Sequence, residues 1–214
     1  GAETRAADAR AFAALMRHIH RVDERRRTVI MMQPENEVGT YGPVRDYSPA
    51  ARAAFAAPVP QALLDRTGKS PGTWAEVFGE DADEFFHAWS IGAYVNAVAE
   101  AGKAEYPLPM FVNAALNRPG AEPGGYPSAG PLPHLFEVWK AGAPSIDLLA
   151  PDIYFPNFVE RISPFRRADN PLFIPEANQA GREEAVADAL FAIGRLDAVG
   201  FSPFSIESIE RPED

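Results

Sequence analysis

The chain has 214 residues, a formal net charge of −10, and is 46% hydrophobic and 23% charged. That is enough for one domain with a real core and is far from a disordered composition. The acidic balance and the lack of a basic stripe argue against nucleic acid as a partner. The absence of cysteine excludes disulfides and thiolate metal sites.

No apolar run approaches the ~20 residues of a membrane span, so no membrane partner is expected. The first residues carry no signal-peptide pattern. Periplasmic, secreted and cytoplasmic locations are left equally open.

Residues 4–23 read as a helix, because Phe12, Leu15, Met16, Ile19 and Val22 recur at helical spacing on one face. Arg25, Arg26 and Arg27 follow, and cations suit a helix C-terminus. Residues 28–33 form the first expected strand. Val29 to Met32 is a short continuous apolar run, and Pro34, which cannot donate to a ladder, ends it. Glu35, Asn36 and Glu37 come directly after. Carboxylates at the end of a buried strand are costly unless they have partners or a task.

Residues 40–83 are an insertion far longer than an ordinary βα connection, and long loops on a rigid scaffold usually carry function. Within it, Ser48-Pro49 reads as an N-cap with proline at N1, starting a short helix over 50–56. The next helix runs from residue 83 or 84 to about 101 through Phe85, Phe86, Trp89, Ala93 and Val98, with Gly102 as its C′ residue. A second strand spans 109–114, with Asn113 near its end. Residues 119–133, rich in Gly and Pro, read as a loop.

A helix over 132–141 carries Leu135, Val138 and Trp139 on one side. The third strand, 146–151, runs into Asp152 and Tyr154. The fourth, 171–175, is again an apolar run into Pro175-Glu176. A helix over 182–196 passes through Val186, Leu190 and Ile193. The fifth strand, 198–202, is followed by Glu207. His18, His20, His87 and His134 all fall on expected helices and read as structural or surface groups.

Helices alternating with short apolar strands specify an α/β fold with a parallel sheet and covered faces. In such a sheet the C-terminal strand ends share one side. That side should hold Glu35, Asn36, Glu37, Asn113, Asp152, Tyr154, Glu176 and Glu207. Two carboxylates across a pocket suit glycosidic cleavage, one protonating the leaving oxygen and the other attacking the sugar carbon. Amide side chains suit sugar hydroxyls, since they both donate and accept. Tyr41, Tyr47, Trp74, Tyr126, Phe155 and Phe158 are candidate stacking platforms, with packing the commoner role for such aromatics.

Gln33-Pro34-Glu35-Asn36-Glu37-Val38-Gly39 closely resembles the Gln-x-Glu-Asn-Glu-Tyr-Gly motif of family 35 β-galactosidases, with Val38 in place of the motif's Tyr. That family belongs to the retaining-glycosidase clan built on (β/α)8 TIM barrels. In that clan an Asn-Glu pair closes the fourth barrel strand and a second Glu closes the seventh. The resemblance implies Glu37 as acid/base and Glu176 as nucleophile, although the surroundings of Glu176 lean toward family 42. It also implies that Asn36 binds the sugar 2-hydroxyl and that Tyr154 hydrogen-bonds the nucleophile. Asn113, Glu35, Asp152 and Glu207 complete the expected substrate-binding set.

The resemblance covers only barrel strands four to eight. It implies a single domain over 1–214 that is a C-terminal partial barrel of about five parallel strands with outer helices. Two sheet edges would then be unpaired and the apolar inner face open, with strands one to three supplied by the rest of the protein. The expected reaction is cleavage of a terminal β-galactoside or related carbohydrate with retention, needing no cofactor and no metal. A second copy of the chain is a further candidate partner. Two other readings stay open. One is an enolase-like enzyme holding Mg²⁺ through Glu37, Asp152, Glu176 and Glu207. The other is a non-catalytic carbohydrate-binding barrel.

Overall fold

The computed structural model describes residues 1–209; residues 210–214 of the expected domain lie outside them. The elements follow in the order α1 (Ala2–Asp23), α2 (Pro49–Phe55), α3 (Gln61–Thr67), α4 (Trp74–Phe78), α5 (Ala82–Glu105), β1 (Phe111–Ala115), α6 (Phe136–Gly142), β2 (Leu148–Ile153), α7 (Phe158–Ile162), β3 (Phe173–Ala177), α8 (Glu183–Leu196) and β4 (Gly200–Pro203). The four strands form one parallel sheet in sequence order, β1-β2-β3-β4. Parallel neighbours need crossover connections, which α6, α7 and α8 provide. The chain is therefore a mixed α/β fold.

Side-chain alternation along the strands separates two apolar layers. Val112, Ala114, Leu149, Ile153 and Ile174 face the helices and join the main core with Phe136, Trp139 and Phe86. Phe111, Leu148 and Ala150 point the other way and pack with Met31 and Phe173 in a small second cluster. Gly200 stands opposite Phe173, and a Cβ there would come within 2.8 Å of the Phe173 ring. The glycine makes room for that ring on the second face.

The first expected strand is reduced to one bridge. Met32 pairs in parallel with Met110, its N–H donating to Pro109 O at 3.0 Å and its carbonyl accepting from Phe111 N at 3.0 Å. Upstream, the Asp23 carboxylate takes the N–H groups of Thr28 and Val29, each at 3.0 Å. These donors are tied to the end of α1 instead of a ladder, and Ile30 is 69% exposed. The sheet thus has four strands and a bridged edge rather than five full strands.

Two helical expectations also change. The insertion over 40–83 is largely helical: α3 buries Leu63 and Leu64, and α4 starts with a Thr73–Glu76 capping box and buries Trp74. Ser48 caps α2 as the sequence suggests, accepting from Ala51 N with Pro49 at the first position. Gly102 does not end its helix, which continues to Glu105. A Cβ at Gly102 would overlap the Phe12 ring of α1, so the glycine sets how closely α1 lies on α5.

The open inner face expected for a partial barrel is not seen as such, since Phe111, Leu148 and Ala150 are buried. Apolar exposure falls instead on the sheet edges, at Ile30 and Val199, and on α8. Val186, Leu190 and Ile193 face solvent there, while Ala185 and Ala192 face inward.

Replacing Gly102 with valine should force α1 away from α5. The expected cost is about 1–3 kcal/mol, typical of overpacking, read as an earlier urea midpoint. Phe12→Ala in the same chain should recover part of it. An unchanged midpoint for Gly102→Val would contradict the contact.

Candidate functional site

Past the Met32 bridge the chain leaves the sheet as a tip, residues 33–40, that folds back over the end of β1. One side chain holds it. Asn113 is 2% exposed. Its Oδ1 accepts from Gln33 Nε2 at 2.9 Å and from Glu37 N at 3.0 Å. Its Nδ2 donates to Asn36 Oδ1 at 3.0 Å and to Asp152 Oδ2 at 2.6 Å. Both donors and both acceptor sites of the amide are therefore used. Glu37 sits in the left-handed region at φ 45, a conformation a non-glycine residue adopts at a cost of order 1 kcal/mol or more. The bond from its N–H to Asn113 holds it there.

The tip is fastened on its far side as well. Thr40 and Ser128 exchange backbone hydrogen bonds at 2.9 Å each, and a Cβ at Gly39 would overlap Pro127. The 126–134 segment is anchored in turn by Glu84 of α5, which is 4% exposed. Its carboxylate accepts from Tyr126 OH and Ala129 N at 3.0 Å and meets His134 Nε2 at 2.8 Å. Burial alone would raise the Glu84 pKa. The His134 bond, the Ala129 N–H and the Tyr126 hydroxyl outweigh it and hold the group below its usual range.

Glu176 reaches the same end of the sheet through an irregularity. Between Ile174 and Ala177, three steps on β3 match two on β4, from Phe201 to Pro203. Both Ile174 and Ala177 face the main core. The extra residue lets Glu176 stand beside its cross-strand partner Asp152 on the other face, the re-aiming that a bulge produces. The Tyr154 hydroxyl donates to Glu176 Oε1. Burial, that bond and the neighbouring Glu176, Asp152 and Glu37 charges all push the tyrosine pKa upward.

Asp152, the cross-strand partner of Glu176, is 3% exposed. Burial first, then the charges of Glu176 and Glu37, push its pKa up to about 8, with the Asn113 bond opposing. Glu37, Asn36, Asn113, Asp152, Tyr154 and Glu176 are thus brought together. A cavity of about 440 Å³ meets this cluster only at Tyr154; Phe155, Phe158, Asn178 and Arg182 line it further, whereas Glu37, Asp152 and Glu176 do not.

Two expected members lie elsewhere. Glu35 turns toward α1, where burial and the Asp8 carboxylate raise its pKa. Successive residues of a sharply turning tip cannot all face one pocket. Glu207 is exposed on a 3-10 turn, and no hydrogen bond among the described residues joins it to the cluster.

Trp74 and Tyr126 are buried in the main core. Tyr47 stacks under Arg45, whose partner is Asp83 at 2.7 Å. Sequence reasoning did not single out Gln33 or Glu84. Gln33 stood inside the recognised motif, whereas an acidic residue in the first turn of a helix gives no sign that a loop will close over it.

Among the described residues, no group of three or more His, Cys, Asp or Glu is arranged to hold a metal ion, and no helix is long and apolar enough to cross a membrane. No protein-family model matches the chain, and no curated protein matches it.

Asn113→Ala would leave the buried Asp152 carboxyl without its donor and release Gln33, Asn36 and Glu37 of the tip. The expected loss is about 1–3 kcal/mol for the buried Asp152 carboxyl left unpaired, together with protease sensitivity confined to the tip over 33–40. A variant as stable and as resistant as the wild type would show that the amide does not hold the tip.

A carboxyl held low stabilises the fold above its unfolded pKa, about 4.3 for Glu, and that stability is lost as pH falls through the lower folded value. Wild type should therefore lose more thermal stability between neutral pH and pH 3 than Glu84→Gln does. Equal losses in the two proteins would remove Glu84 from this role.

Proposed function

We propose that this chain carries the acid/base and the nucleophile of a retaining β-glycosidase acting on β-galactosides or related carbohydrates. The reading rests on one observation above all. At the C-terminal end of a parallel sheet Glu176 pairs with Asp152 and takes the Tyr154 hydroxyl, and the charge of Glu37, distant in sequence, bears on the same aspartate. The resemblance of residues 33–39 to the family 35 motif supports it. In the same reading the four strands and the Met32 edge are an arc of a (β/α)8 barrel, the remaining strands meeting the exposed edges at Ile30 and Val199.

In the first step Glu37 gives its proton to the glycosidic oxygen. A Glu176 carboxylate oxygen attacks the anomeric carbon from the opposite face, the C–O bond to the leaving group breaks, and a glycosyl ester forms. In the second step Glu37 takes a proton from water. The water oxygen attacks the same carbon, the ester bond breaks, and the sugar leaves with its starting configuration while both carboxyls return to their initial states. The mechanism requires carboxyl separations of about 5–5.5 Å when substrate is bound. Tyr154 keeps the Glu176 carboxylate turned toward the sugar, and Asn36, exposed on the tip, meets the 2-hydroxyl.

Mutation separates the two roles. Glu176→Ala in the full-length protein should abolish turnover, and added azide should restore cleavage with inverted configuration. Glu37→Ala should slow hydrolysis of unactivated galactosides by about 10²–10⁴-fold, the usual worth of a general acid. It should still form the glycosyl-enzyme from an activated aryl galactoside, and azide should then give product of retained configuration. Wild-type rates for Glu37→Ala on unactivated substrates would overturn the assignment.

A further inference from the structure

The cluster contains a third carboxyl that the two-step reaction does not use. Asp152 is almost fully buried. Its Oδ2 accepts from Asn113 Nδ2 at 2.6 Å, and its Oδ1 is buried with no hydrogen-bond partner. The groups that bear on it are Glu176 from β3, Glu37 from the tip and Tyr154 just past the end of β2, while β1 offers only the neutral Asn113. Among the described residues no cation pairs with it. A carboxylate with one neutral donor, one bare oxygen and two like-charged neighbours is a costly arrangement in a buried site. Protonation on Oδ1 removes the charge and keeps the Asn113 bond, since Oδ2 still accepts.

We propose that Asp152 is a neutral carboxylic acid through the neutral pH range and acts as a positioning residue for the site. Its Oδ2 fixes the rotation of the Asn113 amide, and Asn113 Oδ1 then holds the Glu37 N–H. Because Asp152 is uncharged, Glu176 can be ionised one strand away without a buried like charge beside it. The upward pKa shift to about 8 agrees in direction with this geometry. A carboxyl whose folded pKa is raised stabilises the fold at low pH, and that stability is lost as pH rises toward and through the folded value. Above that point Asp152 carries a buried negative charge beside Glu176, its partner across the strands. The protonation state stands on the buried geometry alone, whereas its effect on catalysis rests on the glycosidase reading.

The test compares full-length wild type with Asp152→Asn and Asp152→Ala. Difference infrared spectra at pH 6 should show a protonated-carboxyl stretch in wild type that is absent from both variants. In wild type that band should disappear with a midpoint near pH 8. Thermal stability should fall between pH 6 and pH 9 in wild type and stay flatter in Asp152→Asn. On an aryl β-galactoside, Asp152→Asn should keep about tenfold more kcat than Asp152→Ala, the worth of one buried hydrogen bond, and its alkaline limb should move to higher pH.

Absence of an Asp152-dependent band at pH 6 would overturn the proposal, as would an Asp152→Asn variant no more active than Asp152→Ala. If wild type hydrolyses no β-glycoside, the glycosidase reading fails, and the infrared and stability measurements still decide the state of Asp152.

Discussion

The rest of the site depends on the amide of Asn113. Its four hydrogen bonds join the tip to the neighbouring strand and the acidic cluster. Through Oδ1 it holds Gln33 and the backbone of Glu37; through Nδ2 it holds Asn36 and Asp152. Such a fully used, buried amide has one orientation that satisfies all its partners, because swapping donor and acceptor ends would break four bonds together. A flexible tip with only one backbone bridge to the sheet is thereby given a defined shape, and Glu37 is kept in a backbone conformation it would otherwise leave.

Charge is the second constraint. Three carboxyl groups and a tyrosine converge at the ends of β2 and β3 and the tip. Burial and the neighbouring Glu176 and Glu37 charges disfavour the ionised form of Asp152. The unequal burial of the three groups orders them. Asp152 is enclosed, and burial raises its pKa, while Glu37 stands exposed and Glu176 accepts a hydroxyl donor. Environment thus distinguishes side chains that carry the same carboxyl group.

The outer layers serve the same end at a distance. Helix α5 contributes Gly102 to the close approach of α1 and, in its first turn, the buried Glu84 that anchors the 126–134 segment. That segment grips Thr40 and so braces the tip from outside. The insertion over 40–83 folds into three short helices against α5 rather than hanging as a loop, so its aromatic residues largely supply core and not a binding surface.

Much of this was legible in the chain itself. Apolar runs of four to six residues alternating with helical periodicity identified the α/β class and the positions of β1 to β4, because burial on both faces leaves little else such runs can be. The motif around Glu37 and the run ending in Glu176 marked the polar strand ends. Other features depended on contacts between distant residues. Whether Thr28 and Val29 join a ladder was decided by the Asp23 carboxylate that captures their N–H groups. Gly102 looked like a helix stop and is a packing notch, since only the neighbouring Phe12 ring reveals the need for it. Glu35 and Glu37, two residues apart, part company because the tip turns between them. The bulge in β3 that brings Glu176 beside Asp152 leaves no local mark at all. Composition and periodicity report what each segment tends to bury; which polar atoms meet, and so which carboxyl keeps its proton, is set only when segments far apart in sequence close on one another.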